Sequence, residues 1–173
     1  MKLNIKILVS ISGLIMLLGC SSNKKNKSPI IKDTTQEMTA AKILGNPDYL
    51  AISYGGYRKK TREIQPTIPE LKEDLKLLHA MGIRILRTYN VQLNLPHASN
   101  ILKAISQLKK EDANFKMYVM LGAWIDCLNA WTDKAPNHDI ESDQNEGEIK
   151  RAVALANEYP NIVKVIAVGN EAM

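Results

Sequence analysis

Residues 67–89 read TIPELKEDLKLLHAMGIRILRTY, a stretch that predicts an amphipathic helix followed at once by an apolar strand. Thr67 and Glu70 are three positions apart, which is the spacing of a capping box, so the helix is expected to begin here. Gly82 is expected to end the helix, and residues 83–89 then form the strand. A helix that runs into a strand across one glycine is typical of folds in which helices connect parallel strands.

The same alternation of strands and helices continues along the chain. Four strands are predicted, at residues 49–54 (YLAISY), 83–89 (IRILRTY), 115–121 (FKMYVML) and 161–168 (NIVKVIAV), and they begin about 30–50 residues apart. This pattern predicts an α/β fold with a parallel sheet. Four such units are half of the eight in a (β/α)8 TIM barrel, so we expect residues 46–173 to be the first half of a barrel and the chain to be a fragment. A complete small α/β domain with the fourth strand at its edge is the alternative.

Each of the three predicted helices has apolar residues at helical spacing that are expected to face the core. They are Leu71, Leu75, Leu78 and Met81 in the first helix, Ile101, Leu102, Ile105 and Leu108 in the second, and Ile149, Val153 and Ala156 in the third. The segment between the third strand and the third helix, which contains Trp124 and Trp131, is predicted to be a long loop.

Residues 1–19 have the features of a lipoprotein signal peptide. Lys2 and Lys6 are followed by an apolar stretch of 12 residues, which is well short of the ~20 that span a bilayer as a helix. The stretch ends in Leu-Leu-Gly-Cys at Cys20, which resembles a bacterial lipobox. The resemblance implies cleavage before Cys20, lipidation of this residue and anchoring in the bacterial cell envelope outside the cytoplasm, in either membrane. An ordinary secretory signal is the alternative.

The polar, lysine-rich residues 20–45 are predicted to be a flexible tether between the lipid anchor and the folded domain. Seven of the 23 basic residues but only two of the 18 acidic residues lie in residues 1–45, which leaves 16 of each sign in residues 46–173. The net charge of +5 therefore belongs to the leader and the tether. A folded part without excess positive charge argues against a nucleic acid partner.

Glu171 is the candidate catalytic residue. It follows the fourth predicted strand in Val-Gly-Asn-Glu, at the carboxyl end of the strand, where parallel α/β folds place their sites. Glycosidic cleavage needs a carboxylic acid that protonates the leaving oxygen, opposite a second carboxylate. Asn170 is suited to hydrogen-bond the sugar 2-hydroxyl. A solvated glutamate in a βα loop is the alternative for this short motif.

Four motifs, taken together, resemble the family 17 glycoside hydrolases, which are β-1,3-glucanases of the large retaining (β/α)8 clan. Their order and spacing match the first half of that barrel over residues 46–173. The motifs are Ile52-Ser53-Tyr54-Gly55, Ile83-Arg84-Ile85-Leu86-Arg87-Thr88-Tyr89-Asn90, Met120-Leu121-Gly122-Ala123-Trp124 and Ala167-Val168-Gly169-Asn170-Glu171.

The resemblance implies a role for each matched residue. Glu171 corresponds to the general acid/base of the family, and Asn170 to the asparagine that precedes it. Arg87 and Tyr89 correspond to the Arg-x-Tyr near the sugar subsite, and Tyr54 to the aromatic residue on the floor of the cleft. The nucleophile of the family is a glutamate after a later strand, and no position of this chain corresponds to it. The chain alone is therefore expected to be inactive.

The segment after the third strand contains the weaker candidates. Trp124 is expected to stack on a sugar face or to hold the loop against the barrel, and the second role is favoured for Trp131. Asp126 is expected to be solvated or to cap the loop rather than to bind a sugar hydroxyl. No cofactor and no metal site are predicted, since His138, Asp139, Glu141 and Asp143 lack a recognised ligand spacing. A structural role is predicted for His79, His97 and the thiol of Cys127.

These observations lead to one functional hypothesis and two alternatives. The hypothesis is a retaining, endo-1,3-β-glucanase-like glycoside hydrolase that binds a β-glucan polysaccharide or oligosaccharide. The first alternative is a truncated, non-catalytic envelope lipoprotein with a residual sugar-binding face. The second is a β-glucan transglycosylase, in which a sugar rather than water accepts the glycosyl group.

Overall fold

A computed structural model describes residues 37–169 of the chain. The predicted signal peptide and the lipidation site Cys20 lie outside the described residues, as do the predicted site residues Asn170 and Glu171. The predicted tether, residues 20–45, reaches too far along the chain, since residues 40–43 form a helix whose Ile43 is buried in the core. The signal peptide and the rest of the tether stay predictions.

The described residues form helices and strands in the predicted alternating order. The helices are α1 (Ala40–Ile43), α2 (Ile68–Ala80), α3 (His97–Glu111) and α4 (Asn145–Glu158). The strands are β1 (Leu50–Ser53), β2 (Ile83–Arg87), β3 (Tyr118–Ala123), β4 (Cys127–Leu128), β5 (Asn137–Glu141) and β6 (Val163–Val168).

Strands β1, β2, β3 and β6 form one sheet in that order, and each adjacent pair is parallel. Helices α2, α3 and α4 connect them in turn. This arrangement confirms the predicted α/β fold, and its four units follow each other as in the first half of a (β/α)8 barrel. All four strands end at the same edge of the sheet, since Ser53 pairs with Arg87, Arg87 with Met120 and Ala123 with Val168.

The segment predicted to be a loop contains a small β-hairpin, in which β4 pairs with β5 in the antiparallel direction. Sequence patterns did not indicate it for two reasons. Strand β4 is two residues long, and every residue of β5 is exposed, so neither strand has the alternation of apolar and polar residues that marks a half-buried strand. The hairpin extends the structure beyond the carboxyl end of β3.

The capping box of α2 is confirmed. The backbone N–H of Thr67 donates to the Glu70 carboxylate at 2.8 Å, and the backbone N–H of Glu70 donates to the Thr67 hydroxyl at 3.4 Å. Leu71 and Leu75 are buried as predicted, whereas the prediction for Met81 was wrong because this residue is 70% exposed. It is the C-cap and lies one residue beyond the helix, past the end of the packed face.

The predicted inward face of α4 was wrong in part. Ile149 and Val153 are 44% and 46% exposed, and the buried residues of the helix are Asn145, Glu148 and Ala152. The helix is rotated by about one residue from the orientation that its apolar residues predict. The polar residues are buried because they form hydrogen bonds with loop backbone groups. The spacing of apolar residues carries no information about such bonds. The third predicted residue, Ala156, is partly buried and packs against the core.

Both faces of the sheet contribute to a hydrophobic core. Leu86 and Val119 belong to the large cluster with the helices, whereas Ile85 and Tyr118, their neighbours in the chain, pack with Ile43 of α1. The α3 residues predicted to face the core are all buried in the large cluster. In the part of the chain that the structure describes, no helix has the length and apolar character to cross a membrane.

Candidate active site

A cleft of about 640 Å³ lies at the carboxyl ends of β1, β2 and β3, and we call it the aromatic cleft. Tyr54, Tyr89 and Trp124, three of the predicted site residues, lie together in its wall. Parallel strands bring residues from distant parts of the chain to one edge in this way. The lining residues are Ser53, Tyr54, Gly55, Gly56, Tyr57, Arg62, Asp74, Tyr89, Asn90, Trp124 and Trp131.

Tyr54 is held in the wall of the cleft by a carboxylate of α2. Its hydroxyl donates to Asp74 Oδ2 at 2.8 Å, and Arg58 Nη2 donates to Asp74 Oδ1 at 2.5 Å. Burial, followed by the hydrogen bond to Asp74, raises the pKa of the Tyr54 phenol, so the side chain stays neutral. The ring is therefore fixed in position and uncharged. Sequence analysis indicated Tyr54 but gave no signal for Asp74.

The rings of Tyr57, which lines the cleft, and His97 pack against each other. Tyr57 Oη lies 3.1 Å from His97 Nδ1, and the two ring centroids are 5.6 Å apart. His97 is fully buried, and burial lowers the pKa of its imidazole. This agrees with the structural role predicted for the residue. The neutral imidazole of His97 thus helps to hold the Tyr57 side chain in place.

Arg87 and Tyr89 line different cavities, although they are only two residues apart, because β2 ends at Arg87 and Tyr89 lies beyond the regular strand. Tyr89 lines the aromatic cleft, whereas Arg87 lines a neighbouring cavity of about 320 Å³ on the face of the sheet that packs with α1. The two side chains remain in contact, because the Arg87 guanidinium lies 5.9 Å from the centroid of the Tyr89 ring. Arg87 can therefore influence the cleft through Tyr89.

One carboxylate orients both tryptophans. Trp124 Nε1 donates to Asp126 Oδ2 at 2.6 Å, and Trp131 Nε1 donates to Asp126 Oδ1 at 3.1 Å. The two ring systems lie 6.1 Å apart at an angle of 57°. Asp126 was expected to be solvated or to cap the loop, and its two indole contacts correct that expectation. Trp131 does not hold the loop by being buried, since it is 78% exposed.

Asn145, at the start of α4, fixes the backbone of Asp126. Its Oδ1 accepts from the backbone N–H of Asp126 at 2.9 Å, and its Nδ2 donates to the backbone carbonyl of the same residue at 2.8 Å. A buried primary amide that pairs with both backbone groups of one residue satisfies all four polar atoms. The position of the tryptophan pair thus depends on α4.

An ion pair on α4, between the buried Glu148 and the partly buried Arg151, holds two loops next to the cleft. Glu148, which is 2% exposed, accepts from the backbone N–H groups of Val91 at 2.6 Å and of Trp124 at 3.1 Å. Arg151 Nη2 donates to Glu148 at 3.0 Å, and Arg151 Nε donates to the backbone carbonyl of Val91 at 2.8 Å. The ion pair thus connects the segments that follow β2 and β3 to α4. No sequence motif indicated it.

The remaining candidates lie apart from the aromatic cleft. His79 stacks on Phe115 at 4.6 Å between ring centroids and accepts from the backbone N–H of Lys116, which is the structural role predicted for it. Cys127 in β4 is a free, half-exposed thiol. Within residues 37–169, no group of three or more His, Cys, Asp or Glu side chains is placed to hold a metal ion.

Comparison with known proteins shows a similarity to a solved structure. No protein-family model and no curated protein match the chain. Among solved structures, the chain is similar to an endo-laminarinase from Formosa Hel1_33_131, with 72% sequence identity and a TM-score of 0.76. The match covers 79% of this chain and 34% of the laminarinase, so the chain spans about a third of the length of that enzyme.

Proposed function

We propose that this chain belongs to a glycoside hydrolase that cleaves β-1,3-glucan internally. The observation that carries the proposal is the 72% identity to an endo-laminarinase over 79% of the chain. Laminarin is a β-1,3-glucan, so the proposed substrate is a chain of neutral glucose units. Since the match covers about a third of the laminarinase, the activity belongs to a protein in which further barrel strands accompany this chain.

The aromatic cleft has the chemistry that a neutral sugar requires. Tyr54, Tyr89 and Trp124 offer ring faces and edges against which the C–H groups of a pyranose can pack. Asp74 and Asn90 place polar groups in the same wall, where they can meet sugar hydroxyls. The cleft thus combines apolar surface with a few directed hydrogen-bonding groups.

The proposed mechanism belongs to the retaining glycosidases of family 17. Glu171 protonates the glycosidic oxygen while a carboxylate from a later strand attacks the anomeric carbon, and Glu171 then activates the water that releases the product. Asn170 binds the 2-hydroxyl of the sugar, and Arg87 acts beside Tyr89 near the subsite. Two observations support this assignment. Glu171 comes three residues after the end of β6, and β6 pairs with β3, whose carboxyl end leads to Trp124.

Glu171→Gln tests the catalytic assignment in a protein that carries this chain together with the later strands. Loss of the general acid should lower kcat on laminarin by about 10²–10⁴-fold, because a side-chain amide is far too weak an acid to protonate the leaving oxygen. Glu158→Gln, an exposed change at the end of α4, serves as the matched control. Laminarin cleavage by Glu171→Gln at a rate near that of the unmodified protein would refute the assignment. Binding of laminarin without any cleavage by the unmodified protein would instead favour the non-catalytic, sugar-binding alternative.

We propose that Cys20 anchors the protein in the cell envelope, a proposal that rests on the lipobox-like sequence before it. Cys20→Ala should then shift the protein from the detergent phase to the aqueous phase in a partition experiment, or block its maturation. A Ser21→Ala variant, which leaves the thiol in place, should partition as the unmodified protein does. Unchanged partitioning of Cys20→Ala would rule out the anchor.

A further inference from the structure

A second cleft of about 550 Å³ lies against the β4–β5 hairpin, and we call it the hairpin cleft. Trp131 lines both this cleft and the aromatic cleft. The Asp126 carboxylate, which holds Trp131, lies in the hairpin cleft, and its other indole partner, Trp124, lies in the aromatic cleft. The two clefts therefore meet at the tryptophan pair.

The Trp131 side chain is exposed to solvent rather than packed in the core. It is 78% exposed, and its backbone has a φ of 60°, a left-handed conformation that bulky residues rarely adopt. Its indole N–H is satisfied by Asp126, so the ring is oriented while most of its surface stays free. Core packing gives no reason for an oriented, exposed indole on a strained backbone, whereas a stacking ligand does.

The rest of the hairpin cleft combines apolar side chains, among them Ile125 and Ile140, with acidic ones. Asp139 and Glu141 on β5 are exposed and, together with Asp126, place three carboxylates among the lining residues. Carboxylates accept hydrogen bonds from sugar hydroxyls, and they repel sulfated or uronic acid sugars. Asp126 is already paired with the two indoles, so Asp139 and Glu141 are the carboxylates offered to a ligand. An aromatic face beside these two carboxylates favours a neutral sugar over an anionic one.

From this geometry we propose that the hairpin cleft is a second subsite, which binds the part of a neutral β-1,3-glucan chain that extends past Trp131. The inference rests on the proposed function, because the aromatic cleft must hold the first part of the same chain. A short oligosaccharide fills the aromatic cleft alone. A longer one reaches both clefts, so its affinity depends on Asp139 and Glu141 whereas that of the short one does not.

The test is a binding titration of the full chain with laminaritriose and laminarihexaose. The chain has two tryptophans and both line these clefts, so intrinsic fluorescence reports binding directly. The double variant Asp139→Ala/Glu141→Ala removes two acceptors from the hairpin cleft. The control, Asp133→Ala/Asp143→Ala, removes two exposed carboxylates from the same segment, at positions that line neither cleft.

We expect the double variant to lose about tenfold in affinity for the hexaose and less than about twofold for the triose. The control should keep both affinities. Equal hexaose affinity in the double variant and the unmodified chain would overturn the second subsite while leaving the proposed function intact. Absence of binding of both oligosaccharides to the unmodified chain would overturn the subsite, whereas the proposed function is judged separately by laminarin cleavage in the protein that carries the later strands.

Discussion

Replacing Glu148 with alanine is expected to lower the free energy of unfolding by about 3–5 kcal/mol. The substitution leaves the backbone N–H groups of Val91 and Trp124 without their acceptor and removes the charge partner of Arg151. Two unsatisfied backbone donors and a partly buried guanidinium without its partner cost much more than the loss of one surface contact. Urea denaturation, followed by tryptophan fluorescence and by circular dichroism, measures the change.

The same helix offers a matched control. Glu146 forms an ion pair with Lys150 at 2.5 Å, but its side chain is 79% exposed, so Glu146→Ala should leave the stability nearly unchanged. Glu148→Gln separates the contribution of the negative charge from that of the hydrogen bonds. The amide oxygen can still accept from the backbone, but the neutral amide no longer compensates the charge of Arg151. Equal stabilities of the Glu148→Ala and Glu146→Ala variants would contradict the role of the ion pair of Glu148 with Arg151.

Gly122→Ala is expected to destabilise the protein by about 3–5 kcal/mol and to disrupt the aromatic cleft. A Cβ atom at this position would lie 2.4 Å from the carbonyl oxygen of Thr88 and 2.6 Å from the carbonyl carbon of Tyr89. Both are backbone atoms, so no side-chain rotation relieves the contact. The strands would have to separate where Gly122 N–H donates to Thr88 Oγ1 at 3.0 Å, directly beside Tyr89.

Gly45→Ala is the control for this prediction. Gly45 has a φ of +72°, but a Cβ atom there would meet nothing within 4 Å. We therefore expect a cost of about 1–2 kcal/mol from backbone conformation alone. Thermal unfolding of both variants shows whether the steric clash at Gly122 lowers the stability more than the backbone conformation at Gly45 does. If Gly122→Ala is no less stable than Gly45→Ala, the close approach of β2 and β3 at this point is not required.

Local signals in the sequence predicted the fold well. The capping box at Thr67, the stop at Gly82 and the apolar runs of the four parallel strands depend on residues within a few positions of each other. The resemblance to family 17 glycoside hydrolases implied that Tyr54 and Tyr89 lie at a sugar-binding cleft, Trp124 was a weaker candidate, and all three line the aromatic cleft. Periodicity failed for Ile149 and Val153, where polar contacts rather than apolar burial orient α4.

The sequence by itself thus determined the α/β class, the order of the strands and the aromatic residues at their carboxyl ends. Tertiary structure alone decided which polar side chains are buried and what they hold. Glu148 meets a backbone group 57 residues away, and Asp126 joins two indoles that no motif links. The reason is physical: a polar group is buried where a partner satisfies it, and that partner comes from another part of the chain.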